Sequence, residues 1–291
     1  VKINNLDRHL AMLIVGLLYG ANYSVIKLVT PEHLEAFGFI VVRVLVAAAL
    51  FWAIAWKAEP IDWKADGWRL FLCAFFGVGV NMLCFFKGVS LTSAINASII
   101  MTLTPAMVFV MSVILLKEKV IKRRILGLLI GFVGAFLIVY QPDAASQTGD
   151  WRGDLLVILN ASTYGTYLVL VKPLLAKYTP LTVAKWVFLF GIPVVLPVGW
   201  QGFADIPWPD LDATVYWSMA YVIIGVTVIV YVLNIWAMKK VSPSTVGAYI
   251  YVQPIFATLI ASIAFGEALT LRHLIAAILV FIGVGLVIQK R

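Results

Sequence analysis

The sequence predicts an all-α integral membrane protein, with ten transmembrane helices arranged as two inverted five-helix repeats. Three observations lead there. The 291 residues are 63% apolar and 12% charged, with a mean hydropathy of +1.00, whereas a soluble domain is about 45–50% apolar and about 25% charged. A shift of 149 residues lays residues 84–140 on residues 233–289 without gaps, placing Ser93 on Ser242, Pro105 on Pro254, Glu118 on Glu267, Arg123 on Arg272, Phe132 on Phe281 and Gly134 on Gly283. A repeat of this length sets the architecture. Lysine and arginine, finally, gather on one side of the apolar runs.

A span needs about 20 mostly apolar residues. Ten such runs occur, near 9–29, 34–56, 68–88, 92–116, 122–140, 153–175, 180–200, 214–238, 242–265 and 270–289. They are long and continuous rather than short and alternating, which excludes a β-barrel. The longest polar gap, from Gln141 to Gly153, divides a first half at 9–140 from a second at 153–289.

With the N-terminus inside, the inner segments hold Lys2 and Arg8, then Lys57, Lys64 and Arg69, five cations between Lys117 and Arg124, then Lys172 and Lys177, Lys239 and Lys240, and Lys290 and Arg291. The outer segments hold only Lys87, Arg152 and Arg272, while Lys27, Arg43 and Lys185 fall inside spans. This asymmetry predicts both termini in the cytoplasm. The net charge of +8 therefore reads as topology, and no nucleic-acid partner is expected. Five spans per half is an odd number, so the second half enters the membrane from the opposite side. Inverted repeats of this kind are a construction of secondary transporters. The first spans of the two halves agree at a slightly different offset, with Tyr19-Gly20 on Tyr164-Gly165 and Lys27 on Lys172.

Cys73 and Cys84 would lie about 16 Å apart along one helix, too far for a bridge. The first apolar run lacks a cleavage-site pattern, so no cleavable signal peptide is expected.

Polar residues inside spans carry the functional signal. Ser93, Asn96, Ile100 and Thr104 share a helical face in the fourth span, and Ser242, Thr245, Tyr249 and Gln253 do so in the ninth. Such stripes line a substrate path or form interhelical hydrogen bonds, each worth about 1 kcal/mol or less. Pro105 and Pro254 interrupt these spans, freeing the carbonyls of Met101 and Ile250 as hinges, open ligands or plain kinks. Arg43 lies about ten residues into the second span, too deep to snorkel easily. It is a candidate for holding a substrate carboxylate or phosphate, or for pairing with polar groups on spans three and four. Lys185, beside Trp186 in span seven, is a related candidate, with snorkelling as the plainer role; Lys27, Lys87 and Lys172 read as surface-anchored. Asn22 and Tyr23, Asn81 and Phe85, Tyr164 and Tyr167, and Tyr231 and Asn234 supply amide and aromatic walls suited to an amphipathic organic solute.

The substrate-binding candidates are thus Asn22, Tyr23, Arg43, Asn81, Asn96 and Thr104 in the first half. In the second they are Tyr164, Lys185, Trp186, Asn234, Tyr249 and Gln253. All acidic residues, and His9, His33 and His273, fall in loops or at span ends, which argues against proton antiport through a buried acid. Glu118 and Glu267 precede helices, where a carboxylate favours the positive terminus. No nucleophile–base pair, Walker loop, dinucleotide fingerprint or metal-binding constellation occurs, so neither enzymatic activity, a metal nor a cofactor is expected.

Together, Tyr19-Gly20-Ala21-Asn22-Tyr23 with Lys27, Arg43, the segment from Leu91 through Pro105 to Lys117-Glu118-Lys119, the glycines from Gly127 to Gly134, and Val241-Ser242-Pro243-Ser244, Pro254, Gly266-Glu267 and Gly283 form an ordered set. On these residues the chain resembles the drug/metabolite transporter superfamily, in particular the group built from two EamA-type domains. The resemblance implies a central cavity lined by helices four and nine, and transport, mostly export, of small metabolites such as amino acids across the inner membrane. Aromatic or bulky amino acids fit the aromatic walls. A flippase for lipids or lipid-linked sugars is the alternative. The expected partners are a small-molecule substrate and the lipid bilayer, and a monomer is compatible with the sequence.

Overall fold

The computed structural model describes residues 6–30, 33–92, 100–139, 150–265 and 270–289. Among these the chain is helical throughout. We number the helices α1 (Leu6–Val25), α2 (Ala36–Ile54), α3 (Trp63–Leu91), α4 (Thr104–Leu116) and α5 (Lys122–Val139). The second set is α6 (Trp151–Leu174), α7 (Pro180–Ala204), α8 (Ala213–Met238), α9 (243–265) and α10 (Leu271–Ile288). Six of them, α2, α3, α6, α7, α8 and α10, are long and apolar enough to cross a membrane, and α4 is a shorter apolar helix.

Helix starts follow from local chemistry. Four N–H groups at each N-terminus lack an intrahelical partner, and a short polar side chain just ahead of the helix meets one of them. Asp62, Asp150, Thr179, Asp212 and Ser242 do this for α3, α6, α7, α8 and α9. Glu35 accepts from Gly38 N at the start of α2, and Thr270 and His273 form a reciprocal cap on α10. α4 ends on Lys117 at φ 53°, a left-handed cap that glycine fits best.

Three interruptions break the regular ladder. Phe75–Gly79 in α3 and Tyr221–Ile229 in α8 are π-helical, and Tyr249–Val252 in α9 is a 3-10 turn directly before Gln253 and Pro254. Pro105 does not kink a continuous helix at its middle, as the sequence led us to expect. It sits in the first turn of α4, after a turn at Thr102 and Leu103.

The helices pack in pairs that cross the two halves of the chain: α5 on α10, α2 on α7, α1 on α8 and α9, and α6 on α3 and α4. The α5–α10 contact is close. A Cβ on Gly283 would stand 2.5 Å from Gly131 N and 2.6 Å from Gly127 O, so the two backbones touch with no side chain between them. Small residues permit this approach in membrane helices. At α2–α7, a Cβ on Gly38 would lie 2.3 Å from the Gly202 carbonyl carbon. A continuous apolar core runs through the bundle from Met12 to Val287.

Gly283→Val should therefore destabilise the protein by about 1–3 kcal/mol, lowering Tm in detergent. Gly285→Ala, where a Cβ meets nothing within 4 Å, should leave Tm unchanged or slightly raised. Thermal unfolding of both variants checks the pair.

Candidate functional site

The bundle holds a partly open cavity of about 180 Å³. Its walls come from the C-terminal halves of α1 and α3, the N-terminal half of α2, the start of α4 with the residues just before it, the middle of α6, and the interrupted stretches of α8 and α9. Arg43 lines it. Arg43 Nε donates to Thr227 Oγ1 at 2.6 Å, and that hydroxyl donates to the carbonyl of Val222 at 2.9 Å within the π-helical turn of α8. The pairing is with α8, not with α3 or α4 as the sequence had admitted. Among the described residues Arg43 has no carboxylate partner; the ion pairs there are Arg8–Asp7, Arg124–Glu118 and Lys177–Asp66.

Tyr19, Tyr164 and Tyr231 line the cavity with it. Tyr231 OH donates to Gly77 O at 2.7 Å, reaching the π-helical turn of α3. Its ring packs 4.8 Å from that of Phe188. Asn81 and Asn160 clamp α3 to α6 reciprocally, each amide donating to the other's backbone carbonyl at 3.0 and 2.8 Å. Asn22 Oδ1 and Thr104 Oγ1 are buried in the cavity wall and make no hydrogen bond among the described residues. Met82, Phe85, Phe86, Met101 and Ile250 complete an apolar surface.

Many lining residues are repeat partners. Met82 and Tyr231, Met101 and Ile250, and Thr104 and Gln253 are each 149 positions apart, and Tyr19 and Tyr164 match by the first-helix alignment. The carbonyl positions singled out by Pro105 and Pro254, Met101 and Ile250, thus face the same space.

Six sequence candidates meet here: Asn22, Arg43, Asn81, Thr104, Tyr164 and Gln253. Asn234 stands behind the wall, donating to Tyr164 OH at 3.5 Å. Tyr249 faces away and pairs with His9 Nδ1 at 2.8 Å, and Ser242 and Thr245 serve the start of α9. The expected stripe on α9 thus contributes Gln253 alone. Lys185 is buried but elsewhere: it donates to Ala55 O at 3.2 Å and lies 4.1 Å over the Trp52 ring. Trp186 packs edge-on against Trp63. Asn96 and the side chain of Tyr23 lie outside the described residues. The sequence reading missed Asn160, although an amide in mid-span was the available signal. It also missed Thr227, which carried no signal.

Away from the cavity, polar contacts tie helix ends and their connections together. Glu59, from the α2–α3 connection, accepts from Thr179 N and Thr182 Oγ1, both at 2.6 Å, at the start of α7. Glu118, from the α4–α5 connection, accepts from Ser244 Oγ at 2.7 Å at the start of α9 and pairs with Arg124 at 3.2 Å. It ties two helix ends together rather than merely preceding one. Lys172, expected at the surface, donates to the carbonyls of Met238 and Val241. Arg8 lies 3.1 Å from the centre of the Trp236 ring and donates to Trp236 O. Lys177 reaches the buried Asp66 at 2.9 Å, and this hydrogen bond raises the lysine above its ordinary range.

The comparisons with known proteins show the family and the fold. The model of the EamA-like transporter family matches residues 8–140 and again residues 151–289. The chain belongs to the EamA-like transporter family. An uncharacterized transporter of Archaeoglobus fulgidus is 29% identical, over 99% of both chains. A probable terminal-alkyne amino-acid exporter of Streptantibioticus cattleyicolor is 27% identical, over 87% of this chain and 84% of its own. A solved crystal structure shares the fold at a TM-score of 0.79, 17% identity and 96% coverage of both chains. This EamA-like chain is a multi-pass membrane transporter of small molecules.

Burial alone would push the Glu59 carboxyl up, but hydrogen bonds from Thr182 and Thr179 hold it below its ordinary value. A depressed carboxylate contributes stability above the ordinary glutamate range, near pH 4.3, and loses it as pH falls through the folded value. Glu59→Gln should lower Tm by a few degrees at neutral pH, and the gap from wild type should close on acidification below that range. Thermal unfolding across pH measures the difference.

Proposed function

We propose that the chain is a metabolite exporter of the inner membrane, working by alternating access on carboxylate-bearing solutes, with aromatic or bulky amino acids as the leading class. The observation that carries the reading is Arg43. A cation in a low-dielectric interior calls for a counter-charge, and this one lines a cavity with no acidic lining residue among the described residues and with apolar and tyrosine walls. A solute with a carboxylate and an apolar body supplies what is missing. Neutral acceptors at Asn22 and Thr104 suit its N–H groups. The relative from Streptantibioticus, named as an amino-acid exporter, supports the same class.

Alternating access fits ten spans in two inverted halves, 9–140 and 153–289, with both termini cytoplasmic. Two observations support that arrangement: the cavity is lined by repeat-related pairs, and exchanging α1 with α6, α3 with α8 and α4 with α9 reproduces the helix pairing. The cavity then opens outward, and the polar contacts of Glu59, Glu118, Lys172 and Arg8 close the cytoplasmic end. Asn81, Tyr164 and Gln253 join Arg43 as solute contacts, and Pro105 and Pro254 act as hinges.

Counterflow of labelled L-phenylalanine in proteoliposomes tests this. Wild-type protein should exchange it without an imposed gradient, and Arg43→Ala should abolish the exchange, by at least about tenfold for the lost charged hydrogen bonds, while still inserting. Unchanged flux in Arg43→Ala would overturn the role of Arg43. Silence of the wild type across a panel of amino acids would favour a lipid or lipid-linked sugar as the substrate.

A further inference from the structure

A guanidinium can meet a carboxylate through either of two edges. One is side-on, through Nε and one terminal nitrogen; the other is end-on, through both terminal nitrogens. In this chain Nε is already taken, because it donates to Thr227 Oγ1 at 2.6 Å. Thr227 is fully buried and has a single hydroxyl hydrogen. That hydrogen goes to the carbonyl of Val222, five residues back, at 2.9 Å. A threonine in an ordinary helix bonds the carbonyl three or four residues back. The π-helical turn Tyr221–Ile229 brings the fifth within reach instead. With its hydrogen committed to the helix, the hydroxyl presents only lone pairs to Arg43.

We propose that Thr227 is the positioning residue of the site, and that the carboxylate binds end-on to the two terminal nitrogens of Arg43. The inference rests on the reading of Arg43 as the anion-binding group. The relay from Arg43 through Thr227 to Val222 O fixes the torsion of the guanidinium and blocks its side edge. The terminal nitrogens are left toward the cavity, where neither has a hydrogen-bond partner among the described residues. Thr227 touches no solute itself; it acts by aiming Arg43.

The test uses binding alone and needs no knowledge of the natural solute. Phenylglyoxal modifies terminal guanidinium nitrogens, and mass spectrometry of the intact chain's peptides reports modification of Arg43. Benzoate is the probe, with benzamide as its uncharged isostere. On wild type, benzoate should protect Arg43 and benzamide should not. Thr227→Val keeps the shape but loses the oxygen, and should raise the benzoate concentration for half-protection by roughly ten- to a hundredfold, the range for a hydrogen bond to a charged group. Thr227→Ser keeps the oxygen and should restore protection to within about twofold of wild type, since only the methyl is lost. Thr227→Ala serves if the valine variant does not fold.

Equal protection by benzoate and benzamide on wild type would overturn both the end-on site and the anion reading of Arg43. Discrimination on wild type with an unaffected Thr227→Val, or with Thr227→Ser as weak as Thr227→Val, would overturn the positioning role alone. Protection as expected with silent amino-acid counterflow would support this inference and remove the export reading.

Discussion

A backbone group freed inside an apolar medium must find a partner within the protein. Here the helices lose their regular ladder at four places: the π-helical turns of α3 and α8, the 3-10 turn of α9, and the approach to Pro105. Three of them contribute lining residues, Val226, Ile250 and Met101 with Thr104, and the fourth, in α3, is reached from the cavity wall by Tyr231. At two of them a side chain meets a backbone carbonyl, Tyr231 at Gly77 and Thr227, behind Arg43, at Val222. The polar character of the cavity and the irregularity of its helices therefore have one cause. Irregular backbone is tolerated where it borders an aqueous or protein-lined space, and the side chains that satisfy it hold the cavity wall in place.

Polar groups are used differently around the cavity and away from it. Around the cavity they are sparse and uncharged apart from Arg43. Away from it they are ionic and arranged as caps: the Thr179-Pro180-Leu181-Thr182 and Ser242-Pro243-Ser244-Thr245 starts of α7 and α9 each take a glutamate from a different connection. A capped helix start is already satisfied locally. The added carboxylate therefore contributes mainly a tie between elements, one of modest strength where it is partly exposed. Ties of that kind hold one arrangement over another without locking it.

How much of this was legible beforehand differed by feature. Composition, the 149-residue period and the charge asymmetry pointed to an all-helical membrane protein, because hydropathy and periodicity are properties of long stretches; the family was legible only in the ordered residues from Tyr19-Gly20 to Gly283. Arg43, Asn81, Thr104 and Gln253 were legible for a related reason: a polar group in mid-span is costly anywhere but a cavity or interface. Lys185 obeyed the same logic and misled, since its cost is met by Ala55 O and the Trp52 ring, away from the cavity. Burial says that a charge is partnered, not by whom. Thr227 was illegible because its role depends on a π-helical turn, and no residue pattern in Tyr221–Ile229 announces one. Met82, Phe86 and Val226 carry no polar mark at all, and only packing assigns them to the wall; Met101 and Ile250 were marked only through the prolines four residues on.

The glycine contact between α5 and α10 has a mechanical consequence. Where helices meet through side chains, relative motion can be absorbed by changes of rotamer. Gly127, Gly131 and Gly283 bring main chain against main chain, and nothing there can rotate out of the way. Sliding along that line meets the ridges of the backbone itself, while rolling about it does not. A rotation that kept this seam in contact would therefore be a turning about it, in which the travel of any other helix grows with its distance from that line.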